Sequence, residues 1–199
     1  MAKAKKDLSK DKNVRAVADL LMKSAATRTS VDPIAARIRE LGADGAYAVQ
    51  DIQTRASLKA GRKIVGQKIG LTSQAVQKQL GVDTPDYGML FHDMAYGEDE
   101  EIPLSRLMQP RVEAEIAFVL ERDIDNPKAT ISDAVRAIAY ALPGIEVVDS
   151  RIKDWKISLL DTVADNASSG VFVLGGSPKK IDSFDLRLCG MNMEMKGES

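Results

Sequence analysis

Glu113 and Glu115 stand two residues apart in the run Arg111-Val-Glu-Ala-Glu-Ile-Ala-Phe-Val-Leu120. β-Branched and apolar residues recur through that run, which predicts a strand over 111–120. Val112, Ala114, Ile116, Phe118 and Leu120 fall on one face; Glu113, Glu115, Ala117 and Val119 fall on the other. Two carboxylates at that spacing lie ~6.5 Å apart. Their repulsion is ~0.6 kcal/mol in water and about 2.5 kcal/mol at an effective dielectric of 20. A solvated face tolerates that, and a solvated face is the plain alternative for this segment taken alone. A pocket would need a cation, and a divalent metal is the usual one.

A third carboxylate lies in Gly144-Ile-Glu-Val-Val-Asp-Ser-Arg151. On a strand, Glu146 shares a face with Val148, while Ile145, Val147 and Asp149 take the other. An acidic residue inside Ile-Glu-Val-Val is awkward in a plain core strand. Glu113, Glu115 and Glu146 on neighbouring strands could close a three-carboxylate site. Such a site suits Mg²⁺ or Mn²⁺, which leave positions for water and substrate oxygens. Asp149 has an alternative use, pairing with Arg151 or Arg111. Lys68 sits among apolar residues in Gly66-Gln-Lys-Ile-Gly-Leu-Thr-Ser73, which lacks the spacing of a P-loop. Between two glycines it could occupy a tight, partly buried position and serve as an acid or base, or it could snorkel to solvent. Asp86 in Thr84-Pro-Asp-Tyr-Gly88 reads as a turn-stabilising residue. Asp161-Thr-Val-Ala-Asp-Asn-Ala-Ser-Ser-Gly170 is polar between apolar runs and offers hydroxyls, amides and carboxylates. His92 beside Asp93 reads as a surface pair.

Composition narrows the chemistry. The 199 residues are 44% hydrophobic and 29% charged, enough for one globular domain with a sizeable core. With one His and one Cys, a Cys/His zinc site or a Ser-His-Asp triad has almost no material, so hard oxygen ligands are what remain. A formal net charge of -1 gives no global field favouring nucleic acid. No apolar run is long enough to span a membrane. The N-terminal Met1-Ala-Lys-Ala-Lys-Lys-Asp7 has no apolar stretch after it, which argues against a secretory signal and for a frayed lead-in. A lone Cys189 fits a reducing cytoplasm.

The elements that must position these residues follow from periodicity and caps. Val14, Val17, Leu20, Leu21 and Ala25 predict a helix over 11–27. Ile34, Ile38 and Leu41 predict a second, capped by Ser30 or Asp32, with Pro33 in its first turn and Gly42 past its end. A third is expected over 44–59. Lys63–Gly70 reads as a strand, Thr72 or Ser73 as the cap of a short helix to Leu80, and Gly81–Gly88 as turn. A helix at 131–141, capped by Thr130 or Ser132, and strands at 144–149, 170–175 and 183–195 complete the pattern. Helices first and strands afterwards suggest α+β, with a helical region over 1–60 and a β-rich region over 61–199 in one structural domain. Lys196-Gly-Glu-Ser199 reads as a hairpin turn with no strand after it. Either the tail is ordinary, or the chain is cut short before its closing strands.

Five segments, in order, resemble one family. They are Gly66-Gln-Lys-Ile-Gly-Leu-Thr-Ser73, Leu80-Gly-Val-Asp-Thr-Pro-Asp-Tyr-Gly-Met-Leu-Phe91, Gln109-Pro-Arg-Val-Glu-Ala-Glu-Ile-Ala-Phe118, Ile145-Glu-Val-Val-Asp-Ser-Arg151 and Asp161–Gly170. Together they are similar to the 2-keto-4-pentenoate hydratases of the fumarylacetoacetate hydrolase superfamily. The resemblance implies a mixed β-roll, and a cytoplasmic homo-oligomer acting on a small-molecule 2-hydroxy-dienoate or 2-oxo acid. The reaction it implies is hydration of 2-hydroxypenta-2,4-dienoate to 4-hydroxy-2-oxopentanoate in meta-cleavage aromatic catabolism. Under it, Glu113, Glu115 and Glu146 match the ligands of Mg²⁺ or Mn²⁺. Lys68 and Asp86 match the catalytic Lys and Asp, Ser168 matches a Ser near substrate, and Leu71 offers a backbone contact. Family chains normally continue beyond the position of Ser199, through a further helix and closing strands. A sister activity, 4-oxalocrotonate decarboxylation, is the nearest alternative. A non-catalytic fragment or oligomer partner is an alternative of another class.

Overall fold

A computed structural model describes residues 7–198, without the side chains of residues 79 and 80. Apart from Asp7, the expected N-terminal lead-in lies outside the described residues. In chain order the elements are α1 (Lys12–Thr27), α2 (Ala35–Ile38), α3 (Gly42–Lys59), β1 (Ile64–Gly70), α4 (Gln74–Leu80), β2 (Asp86–Phe91), β3 (Ala95–Tyr96), β4 (Arg111–Leu120), α5 (Ile131–Ala137), β5 (Ile138–Val148), α6 (Leu159–Ala164) and β6 (Ser169–Leu174). The chain is α+β and forms two compact units.

The first unit comprises the residues up to Met94, Ile102–Arg111 and Val148–Val171. Its core is Val14, Val17, Ala18 and Leu21 of α1, Ile34 and Ile38 at α2, Ala46 and Val49 of α3, Ile152, and Val163 and Ala164 of α6. The 3.6-residue period of the sequence accounts for these faces. Asp11 caps α1, its carboxylate accepting from the N–H groups of Asn13 and Val14. The second helix differs from expectation. Neither Ser30 nor Asp32 caps it; Asp161, distant in sequence, accepts from Ile34 N–H at 2.7 Å and Ala35 N–H at 2.9 Å. The helix is also short, giving way to a 3₁₀ turn at Arg39–Leu41. β1 and β2 form an antiparallel ribbon in which Lys68 faces Gly88 and Gly70 faces Asp86. Asp86 therefore opens a strand, where a turn was expected. Its backbone belongs to the ladder, and the turn chemistry ends at Pro85.

The second unit comprises Ala95–Glu101, Val112–Val147 and the residues from Phe172 onward. It carries a four-stranded sheet in the order β3-β6-β5-β4, with β3 parallel to β6. Thr130 caps α5 in a reciprocal capping box with Asp133. The helix expected to reach residue 141 stops at Ala137, and residues 138–141 join β5. Ile138 is already extended, and Pro143 six residues past Ala137 is incompatible with a continuing helix. The strand expected over 183–195 does not form. Ile181–Ser183 is a 3₁₀ turn, Asp185 bonds the backbone and guanidinium of nearby Arg187, and Leu188 and Met195 are exposed. Alternation alone makes no strand where no ladder partner lies alongside. The short turn after it does form, with Met195 and Glu198 bonded in both directions at 2.8 and 3.0 Å.

Candidate functional site

In the second unit, β4 and β5 bring Glu113, Glu115 and Glu146 together. One carboxylate oxygen from each lies within 4.8 Å of the others. Glu113 is exposed and Glu146 is buried, so the cluster runs from solvent into the sheet. Ligand oxygens at ~2.1 Å from Mg²⁺ stand roughly 3–4 Å apart in an octahedron. Small side-chain rotations would close the three carboxylates to that spacing. Among the described residues this is the one group of three or more His, Cys, Asp or Glu side chains with metal-ligand spacing. Three hard oxygen donors and no nitrogen or sulfur fit Mg²⁺, Mn²⁺ or Ca²⁺.

In the first unit, a second polar group gathers on the β1–β2 ribbon. Lys68 is half-buried, and its Nζ donates to the Ala167 carbonyl at 2.9 Å instead of snorkelling to water. Asp86, on the partner strand, is 2% exposed. Its carboxylate and the Lys68 ammonium both crowd over Gly70. A Cβ there would lie 2.3 Å from Asp86 Oδ1 and 3.7 Å from Lys68 Nζ, so a side chain at this position would displace the Asp86 carboxylate. Burial raises the Asp86 pKa above the ordinary carboxylate value, while Lys68 and the Gly70 N–H pull it back. Neither Asp86 oxygen closes a well-formed hydrogen bond among the described residues. Tyr47 of α3 stacks on Tyr87 at 4.6 Å between ring centroids, and burial, with Asp86 adding to it, raises its phenol pKa. Leu71 follows Gly70 with φ 56, its carbonyl accepting from Gln77 Nε2.

Ser168 sits on a left-handed turn. Asn166, Ala167 and Ser168 have φ of 54, 52 and 52. Three successive non-glycine residues in that region cost about 1–2 kcal/mol each, so the surroundings must hold them. The Asn166 amide accepts from Met89 N–H at 2.7 Å and donates to the Met89 carbonyl at 2.9 Å. The Asp149 N–H donates to the Ser168 carbonyl. Arg151 donates to the Asp165 carboxylate and carbonyl and to the Ser169 carbonyl. Burial pushes the Asp165 carboxyl pKa up, against the pull of Arg151. The Ser168 hydroxyl is buried and has no partner among the described residues.

Other expected pairs resolve differently. Asp149 pairs with neither Arg151 nor Arg111; it accepts from the N–H groups of Met108 and Gln109. Arg111 lies over the Trp155 ring at 4.5 Å. His92 does not pair with Asp93. Its Nδ1 accepts from Lys63 N–H, and Asp93 pairs with Arg62 at 2.7 Å and more loosely with Arg106. The sequence did not single out Asn166, and it offered Arg151 as a partner of Asp149 where the structure pairs it with Asp165. The signal for Asn166 was its type, since Asn tolerates left-handed backbone, but its partner Met89 is 77 residues away.

Helices and a strand ribbon in one unit, and a four-stranded sheet bearing three clustered carboxylates that could hold a metal ion in the other, define a fumarylacetoacetate-hydrolase-like fold. A solved structure with this fold is 4-oxalocrotonate decarboxylase from Pseudomonas putida G7, complexed with magnesium and adipate. The TM-score is 0.82 with 35% identity, over 87% of this chain and 66% of that one. No protein-family model matches the sequence. Among curated proteins, the TodF product hydratase of Pseudomonas putida is 54% identical over 96% of this chain and 71% of its own length. 2-Keto-4-pentenoate hydratase 1 of Dechloromonas aromatica is 53% identical, over 94% of this chain and 71% of its own length. The 2-hydroxypent-2,4-dienoate hydratase of Pseudomonas putida is 42% identical over 93% of this chain and 84% of its own length. The chain belongs to the 2-keto-4-pentenoate hydratase family, whose named members are hydro-lyases.

Proposed function

We propose that this chain adds water to 2-hydroxypenta-2,4-dienoate, giving 4-hydroxy-2-oxopentanoate, as a step in the breakdown of ring-cleaved aromatic compounds. The observation that carries the hydratase reading over decarboxylation is identity: 54% to a hydratase against 35% to the decarboxylase. Glu113, Glu115 and Glu146 are the residues that would hold the divalent cation, with Mg²⁺ favoured because the decarboxylase relative was solved with magnesium. When bound, such a cation polarises a 2-oxo acid and stabilises negative charge on its enolate oxygen. Lys68 moves the proton from the 2-hydroxyl to C5 in the tautomerisation that precedes addition. Asp86 orients the Lys68 ammonium and the water that adds at C4, with C3 taking the second proton. Ser168 supplies a hydroxyl to the substrate, and Leu71 a backbone contact. The enzyme works in the cytoplasm as a homo-oligomer, a reading that rests on family resemblance and on the single, exposed Cys189.

The purified chain with Mg²⁺ should deplete 2-hydroxypenta-2,4-dienoate and release no CO₂ from 4-oxalocrotonate. CO₂ release without hydration would replace the reading by the decarboxylase. Metal-bound, monodisperse protein that turns over neither substrate would mark this chain as non-catalytic.

A further inference from the structure

We infer that Asn166 is a positioning residue for Lys68. The inference rests on the hydratase reading, in which Lys68 moves the proton. It comes from the left-handed turn rather than from the residues that the family motifs assign. The Asn166 side chain places one acceptor and one donor against both backbone groups of Met89, as the next strand of a sheet would. That clamp ties the turn to β2. At Gly88 the turn backbone runs so close that a Cβ would lie 2.3 Å from the Asn166 carbonyl oxygen. Gly88 is the residue opposite Lys68 in the ribbon. The next carbonyl along, that of Ala167, receives the Lys68 Nζ at 2.9 Å. The following residue is Ser168, with its buried hydroxyl.

The parts form a chain of cause. A lysine side chain has four rotatable carbons and no preferred direction of its own. Here its head is held by a carbonyl that points the right way only while three residues stay left-handed. Relaxed, that backbone would return to the ordinary regions and swing the carbonyl away. Asn166 is the one side chain of the turn that bonds β2 itself. Without the clamp, the ammonium would lose the Ala167 carbonyl as a fixed acceptor, while the acidic cluster of β4 and β5, in its own unit, would be untouched.

Asn166→Ala should lower kcat by roughly 10- to 100-fold per folded molecule, the range expected when a reacting group is misplaced by about 1 Å. Mn²⁺ affinity should stay within about threefold, because no ligand is altered. In the Lys68→Ala background the same change should have little further effect, since its target is already gone. Additive losses in that cycle would mark Asn166 as merely structural and overturn the inference. A readout independent of turnover is the rate at which an amine-reactive reagent labels Lys68, followed by mass spectrometry. Loss of the clamp should raise it several-fold, and an unchanged rate would overturn the inference even if the chain proves not to be a hydratase. If Asn166→Ala does not fold, Asn166→Asp tests the same point. It keeps the acceptor for Met89 N–H and tolerates left-handed backbone, but sets an oxygen against the Met89 carbonyl.

Discussion

Asp86 shows how one residue can be costly to the fold and, under the proposed function, useful to the site. Its carboxylate is buried at the head of β2, opposite Gly70, and burial raises its pKa. A group whose folded pKa is raised stabilises the fold fully below its unfolded pKa, about 3.9, and loses that contribution as pH climbs through the folded value. At neutral pH the ionised carboxylate therefore works against folding. Asp86→Asn should raise stability at pH 7 by about 0.5–2 kcal/mol, and the gap between variant and wild type should close as pH falls toward 4. The same variant should lose about 10²-fold or more in turnover, because a neutral amide no longer orients the Lys68 ammonium and the water as the proposed role of the carboxylate requires. Thermal unfolding across pH 4–8 checks the first half. A variant that is less stable at neutral pH and equally so at pH 4 would show that Lys68 already compensates the charge.

At the scale of elements, what could be read depended on distance along the chain. α1, α3 and β4 were legible because their patterns and boundaries lie within a few residues, down to the bounds of β4 at Arg111 and Leu120. The carboxylate pair was legible for the same reason, its members being two apart on one strand. Long-range pairings were not. The cap of α2 comes from Asp161, 127 residues from Ile34, and nothing near Ser30 or Asp32 could signal it. Asp161 also accepts from the N–H and hydroxyl of Ser158 at the start of α6, so one carboxylate caps two helices with four hydrogen bonds. A polar segment read as a chemical resource is thus partly scaffold. Asp161→Ala would leave the buried Ile34 N–H without its partner and remove the cap of both helices, and should cost about 2–4 kcal/mol. Urea unfolding should show a lower midpoint at unchanged slope. An unmoved midpoint would mean that water replaces the carboxylate at no cost.

For the molecule as a whole, the acidic cluster links cation binding to folding. Glu113, Glu115 and Glu146 come from two strands and meet only in the folded sheet of the second unit, so the unfolded chain offers no comparable site. A ligand that binds only the folded state stabilises it by mass action, by about 2.7 kcal/mol at one hundred times its dissociation constant. In a chain of 199 residues, 1 kcal/mol moves the unfolding midpoint by roughly 2–4 °C. Saturating Mg²⁺ should therefore raise the midpoint by about 5–10 °C over the value in EDTA, growing with the logarithm of Mg²⁺ concentration. Glu115→Gln keeps the size of the side chain but weakens one of the three proposed ligands. It should fold in EDTA, lose most of the Mg²⁺-induced rise, and lose metal-dependent turnover with it. Calorimetry of both proteins, with and without Mg²⁺, reads binding without relying on catalysis. A full Mg²⁺ shift retained by Glu115→Gln would remove Glu115 from the ligand set. A shift absent even in the wild type would leave Glu113 and Glu115 as a solvated strand face, the plain alternative that their spacing first allowed.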